Sequence, residues 1–146
     1  MNERLERVLQ KMEKKGIDQL LVSDPLSIRF LTGIMVHPGE RLYALLLRTN
    51  GKHTMFLNYL YYVSDTGFEE VWFSDMDDQI GVLTEHIDTK GVIGIDKTFH
   101  ARFLIPLQER CPSALAASTE QESTGFSSKN TVQSPQLEVS QPRFTL

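Results

Sequence analysis

The chain is poor in the features that would place a protein outside the cell or in a membrane. Its one cysteine, Cys111, cannot close an intramolecular disulfide. No run approaches the roughly 18 apolar residues that a membrane-spanning helix needs. The opening stretch Met1-Asn2-Glu3-Arg4-Leu5-Glu6-Arg7 is charged where a signal peptide would carry an apolar core. A soluble, cytoplasmic protein is the expectation. Charge of one sign is lacking as well: 15 Lys and Arg stand against 19 Asp and Glu, spread along the chain, for a net charge of -4. Without a basic stripe to follow a phosphate backbone, nucleic acid drops out as a partner. What is present is a hydrophobic content of 40% in 146 residues, enough for one compact domain with a sizeable core.

From Met1 to about Ser113 the apolar residues alternate between helical and strand patterns, as in an α/β domain. Leu5, Val8, Leu9 and Met12 fall on one face of a first helix, with Asn2 as its cap and Gly16 as its stop. Gln19 to Ser23 is short and apolar at its centre, the pattern of a buried strand. Asp24-Pro25 opens a short helix through Phe30 and Leu31, because Asp accepts the free N–H groups of a helix start and Pro is tolerated at its first position. Gly33 closes it. Tyr43 to Leu47 and His53 to Leu57 flank Asn50-Gly51, a dipeptide suited to the turn of an antiparallel hairpin.

Further on, a helix is predicted near Leu60–Ser64 and a strand at Val71-Trp72-Phe73. Asp75 is placed to cap a helix carrying Ile80, Leu83 and Ile87. Val92 to Ile95 reads as another strand. Thr98 is placed to cap a last helix through Phe103, Leu104 and Leu107, which Pro106 should kink or restart. After Ser113 the composition changes, and Ser, Thr and Gln make up nearly half of Leu115 to Leu146. Such a segment buries too little to offset its ordering entropy, so 114–146 is predicted to be a disordered tail with at most a short strand near its beginning.

The order of Gly16-Ile17-Asp18-Gln19-Leu20-Leu21-Val22, Asp24-Pro25 and Ile28-Arg29-Phe30-Leu31-Thr32-Gly33 resembles the opening of the creatinase/prolidase/aminopeptidase P N-terminal domain. Phe30 stands where that family has tyrosine, and Ser27 where it has asparagine. The likeness continues through Glu40-Arg41, Asn50-Gly51, Val71-Trp72-Phe73-Ser74-Asp75 and Gly94-Ile95-Asp96, so residues 1–113 carry it. It implies a ribonuclease H-like α/β fold: a mixed central sheet of about five to six strands, including the hairpin, flanked by helices.

In the family a larger "pita-bread" domain follows, where two Asp, one His and two Glu hold a divalent metal pair of Mn, Co or Zn type that activates water against an Xaa-Pro bond. That domain is absent from the matched region. The resemblance therefore implies a non-catalytic domain, a fragment or truncated form of an Xaa-Pro dipeptidase-like metallopeptidase, with no cofactor of its own. Its implied role is dimerisation and substrate access, as a homodimer or beside a peptidase subunit. A final strand is expected to be missing after Ser113. The alternatives are a stand-alone interaction module, pairing through an exposed sheet edge, and a binder of small molecules or dipeptides.

Single residues weigh as follows. The histidines His37, His53, His86 and His100 show no metal-ligand spacing, and turn or surface positions account for them. Asp75, Asp77 and Asp78 lack the glycine turn and distal glutamate of a calcium loop, so helix capping is the plainer reading. Cys111 has no neighbouring base to activate it. Gly51, Gly91 and Gly94 lie too far apart to cradle a phosphate. One segment combines an imidazole, a carboxylate and a guanidinium outside regular structure: His37-Pro38-Gly39-Glu40-Arg41. By resemblance Glu40 and Arg41 match a pair on a loop that helps select substrate at a partner subunit's active site. Gly39 stands where those relatives often have histidine, and His37 lies two residues earlier.

Overall fold

The computed structural model describes residues 3–112 and 115–118. The first helix, α1 (Glu3–Lys15), has Glu3 and Glu6 in its first turn and Lys14 and Lys15 in its last, charges that match the helix dipole at both ends. Its buried stripe is Leu5, Val8 and Met12, with Leu9 half-buried beside it. Gly16 ends the helix at φ 71°, a left-handed conformation that glycine adopts without a Cβ penalty. Asn2, the expected cap, lies outside the described residues.

Six strands form one sheet: β1 (Gln19–Val22), β2 (Ala44–Arg48), β3 (Thr54–Asn58), β4 (Glu69–Phe73), β5 (Ile93–Ile95) and β6 (Leu115–Ser118), in the order β4-β3-β2-β1-β5-β6. The pairs β1–β2 and β2–β3 are antiparallel, whereas β3–β4, β1–β5 and β5–β6 are parallel. The mixed sheet of the α/β expectation is thus present, with the hairpin at Asn50-Gly51. Gly51 has φ 86° and gives its N–H to the Arg48 carbonyl at 3.0 Å.

The remaining helices are α2 (Pro25–Thr32), α3 (Gln79–Glu85) and α4 (Ala101–Arg110). Successive strand residues point to opposite faces, and both faces here are covered. Leu20, Val22, Leu45 and Leu47 pack under α1 and α2, while Leu21, Leu46, Phe56 and Ile95 pack under α3 and α4. This explains why the central strands read as unbroken apolar runs rather than alternating ones. Each fully buried leucine contributes on the order of 1.5–3 kcal/mol.

Four local expectations are corrected. Residues 60–64 form no helix: aromatic and β-branched side chains lose rotamer freedom in one, and Asn58 Oδ1 instead accepts the Leu60 N–H in a turn at 2.9 Å. Asp78, not Asp75, caps α3 by accepting the Gly81 N–H at 3.2 Å, and Ile87 is buried beyond the helix end. His100, not Thr98, occupies the cap position of α4, which runs across Pro106 without restarting. Pro106 has no N–H to give the Arg102 carbonyl. Finally, the sheet does not stop near Ser113: Leu115 and Ser118 pair with Ile93 and Ile95, so β6 is the short strand allowed at the beginning of the tail, and the final strand expected to be missing is present. The predicted disorder of the rest of the tail falls outside the described residues.

Candidate functional site

The strands β1 and β5 are parallel, so their carboxyl ends open side by side. In open α/β sheets that edge is where ligands bind. Here the edge is pinned by one carboxylate. Asp96, just beyond β5, accepts the Ser23 N–H at 2.9 Å, the Ser23 hydroxyl at 2.9 Å and the Asp24 N–H at 3.0 Å. Burial pushes its pKa up, and the three donors oppose that rise by favouring the ionised form. Asp24 in turn caps α2, accepting from the Ser27 N–H at 3.2 Å and the Ser27 hydroxyl at 2.7 Å. The chain leaves α2 through Gly33 at φ 80° and crosses the carboxyl edge as residues 34–43.

That crossing contains the 37–41 loop. A turn closes it, with the Arg41 N–H donating to the Pro38 carbonyl at 3.1 Å and Gly39 at φ 61°. Glu40 and Arg41 are held in opposite directions. Glu40 Oε1 accepts from Arg102 Nη1 of α4 at 2.8 Å. Arg41 Nε lies 3.1 Å from both oxygens of Asp75, after β4. Asp75 also accepts from Asn58 Nδ2 at 2.7 Å, and that bond and the guanidinium hold its carboxyl below the usual range. The loop is therefore staked to two parts of the fold by side chains that remain about half exposed or more.

Between the loop and α4 lies a cleft of about 300 Å³ lined by His37, Arg41, Tyr43, Phe99, His100 and Phe103, among others. A shallower hollow of about 350 Å³ lies on the outer side, among Glu40, Arg41, Asp75, Gln79 and Arg102. Of the expected site residues, His37 and Arg41 face the cleft, and Glu40 faces the outer hollow. Sequence reasoning missed His100, Arg102 and the pairing role of Asp75. Their common signal was position just after parallel strands, in the segments that the fold carries to one edge.

The other candidates are accounted for locally. Asp77 accepts the Ser74 N–H at 2.8 Å, and Asp78 pairs with Arg110 at 3.0 Å. Cys111 is buried, which pushes its thiol pKa up. His86 Nδ1 lies 2.9 Å from the Val82 carbonyl, and His53 is buried under the hairpin, where its Nδ1 accepts the Arg48 N–H at 3.2 Å. Among the described residues no three or more His, Cys, Asp or Glu side chains come together to hold a metal ion. The acidic residues at the rim are engaged with arginines, so this donor set does not fit a divalent metal pair. No helix among the described residues is long and apolar enough to cross a membrane.

The central hairpin, the helices on both faces and the loop crossing the carboxyl edge define a mixed α/β domain. A family model for the creatinase/prolidase N-terminal domain matches residues 4–123, and the chain belongs to that family. It is 28% identical over 102 residues to an uncharacterized peptidase of Staphylococcus haemolyticus, a match covering 70% of this chain and 26% of that protein. The chain thus spans about a quarter of the length of that relative. Among solved structures, the creatinase/prolidase N-terminal domain of an X-Pro dipeptidase from Streptococcus pyogenes superposes with a TM-score of 0.75 at 19% identity, over 86% of this chain and all of that one. A dipeptidase from Pyrococcus horikoshii aligns with a TM-score of 0.63 at 28% identity, over 73% of this chain and 31% of that one.

Proposed function

We propose that this chain is a non-catalytic domain of an Xaa-Pro dipeptidase-like metallopeptidase, and that it acts on substrate access by presenting the 37–41 loop to a catalytic domain, in a homodimer or beside a peptidase subunit. The observation that carries this reading is the double staking of the loop, Glu40 to Arg102 and Arg41 to Asp75. Held between two elements, a loop presents a fixed edge without needing a packed core of its own. A divalent metal pair and its activated water would then belong to the catalytic partner. The names of the S. pyogenes and P. horikoshii relatives support the same peptidase class.

The test joins the chain to the catalytic domain of a related Xaa-Pro dipeptidase and compares wild type with Glu40→Ala and Arg41→Ala. The reading expects altered kcat/KM for Xaa-Pro dipeptides with an unchanged melting temperature. Identical kinetics in all three proteins would refute it.

A second reading, an interaction module in its own right, has a specific observation behind it. The expected bare edge beside β5 is occupied by β6, so that argument is gone. Beside β4, however, Tyr59, Leu60 and Tyr62 are 66%, 60% and 102% exposed, and Tyr59 stacks on Trp72 at 5.9 Å. Clustered exposed aromatics mark contact surfaces. Light scattering on wild type and Tyr62→Ser decides this reading: a strictly monomeric wild type, alone and mixed with a full-length relative, removes it.

A further inference from the structure

The β4 side of the sheet combines three features. Its backbone is open: among the described residues β4 pairs with β3 alone. The Phe73 carbonyl accepts the Tyr59 N–H on the inner side, so the alternation of a strand turns the N–H and C=O groups of Glu70 and Trp72 outward. Its charge is one-sided. From Thr54 to Glu85 the chain carries seven Asp and Glu and no Lys or Arg, while the rest has 15 basic residues against 12 acidic ones. Glu70 accepts from the Thr66 N–H at 2.9 Å, the Thr66 hydroxyl at 2.8 Å and the Trp72 indole at 3.2 Å, and Asp65 accepts the Gly67 N–H at 2.9 Å. These donors are uncharged. They orient the two carboxylates without neutralising them, and the Thr66 bonds hold the Glu70 carboxyl below the usual range. Finally, an apolar ledge lies at the end of the strand, where Tyr59, Leu60 and Tyr62 are exposed and Tyr59 stacks on Trp72.

We propose that the free edge of β4 takes up an extended basic segment of a different protein as an added strand. Its backbone pairs with the outward groups of Glu70 and Trp72, and a Lys or Arg side chain meets Glu70. An apolar side chain two positions away, on the same face of the new strand, lies against Trp72 and Tyr59. Charge selects the occupant: the β4 edge of a second copy brings Glu70 against like charge, whereas a basic segment complements it. The surface is that of the interaction-module reading with another occupant, so the proposal stands for a strictly monomeric chain.

The test is a titration of the isotope-labelled full chain followed by amide NMR, with two capped peptides as probes. One is Thr-Arg-Thr-Phe-Thr-Arg-Thr, which presents a basic and an aromatic residue two positions apart in either strand direction; the other has both Arg replaced by Glu. The basic peptide should move the amides of residues 59–62 and 69–73 with a dissociation constant on the order of 100 μM. At saturation, hydrogen exchange at the Glu70 and Trp72 amides should slow about tenfold, which a purely ionic contact would not cause. The acidic peptide should bind about tenfold more weakly. Glu70→Gln and Tyr62→Ser should each weaken the basic peptide about threefold, while Glu109→Gln, at an exposed position of α4, should leave its binding unchanged. Self-association of the free chain bears on the interaction-module reading alone. Equal binding of the two peptides, equal effects of Glu70→Gln and Glu109→Gln, no slowing at Glu70 and Trp72 in the saturated complex, or no shifts in residues 59–62 and 69–73 would each overturn the proposal.

Discussion

The centre of the sheet and its carboxyl edge are built on opposite principles. At the centre, Leu21, Leu45, Leu46, Leu47 and Phe56 are fully buried, the strands are covered on both faces, and the binding force is non-directional apolar burial. At the edge, Glu40, Arg41, Asp75 and Arg102 are substantially exposed, and position is set by directed pairs that hold little net energy in water. Asp96 joins the two regions, buried like the centre but acting through hydrogen bonds like the edge. The difference teaches that this domain separates the residues that keep it folded from those available to a ligand or partner.

Substitutions should reproduce that division. Phe56→Ala, in the middle of β3, should have the largest effect, about 3–5 kcal/mol of stability in urea unfolding. A loss under 1 kcal/mol would mean that the centre is not packed as described. Asp96→Ala should come next, at about 1–3 kcal/mol, because it leaves the Ser23 and Asp24 amides without their acceptor. Asp96→Asn keeps one acceptor oxygen and should fall between that variant and wild type.

A smaller effect should appear with acid. Burial and then Arg48 lower the pKa of His53 from its ordinary 6.5, so the native state resists a proton that the unfolded chain accepts. The contribution of His53 is present in full above the unfolded value and is lost as pH falls from there through the lower native value. Unfolding midpoints measured across that range should decline toward acid, and His53→Asn should flatten the decline. A slope unchanged by the substitution would assign it to other groups. Smallest of all, Arg41→Ala should leave the urea midpoint unchanged while speeding amide exchange in residues 39–42, and about 1 M salt should do the same to wild type by screening the pair with Asp75. A large drop in midpoint would erase the distinction between edge and centre.

This division also explains what was legible in the sequence. The apolar runs at Leu20-Leu21-Val22 and Ala44 to Leu47, the cap at Asp24-Pro25 and the turn at Asn50-Gly51 act through neighbours in the chain, and each produced the element expected of it. The edge depends on contacts between residues 34 and 62 positions apart, Arg41 with Asp75 and Glu40 with Arg102, and no local pattern announces such pairs. Asp75 illustrates the limit. Read locally, it is a helix cap three residues too early; in the fold it is the anchor of the 37–41 loop. Residues 60–64 failed for the same reason, since the Tyr61 hydroxyl donates to the Leu42 carbonyl at 2.9 Å across the sheet end, a distant contact that favours an extended path.

The most direct test of the proposed function, in which this chain would shape access to a hydrolytic centre rather than contain one, is a turnover assay of the purified chain on Xaa-Pro dipeptides with added Mn²⁺ or Co²⁺. The account predicts no hydrolysis above the metal-only blank. Metal-dependent turnover that disappears with a chelator and returns with fresh metal would contradict it.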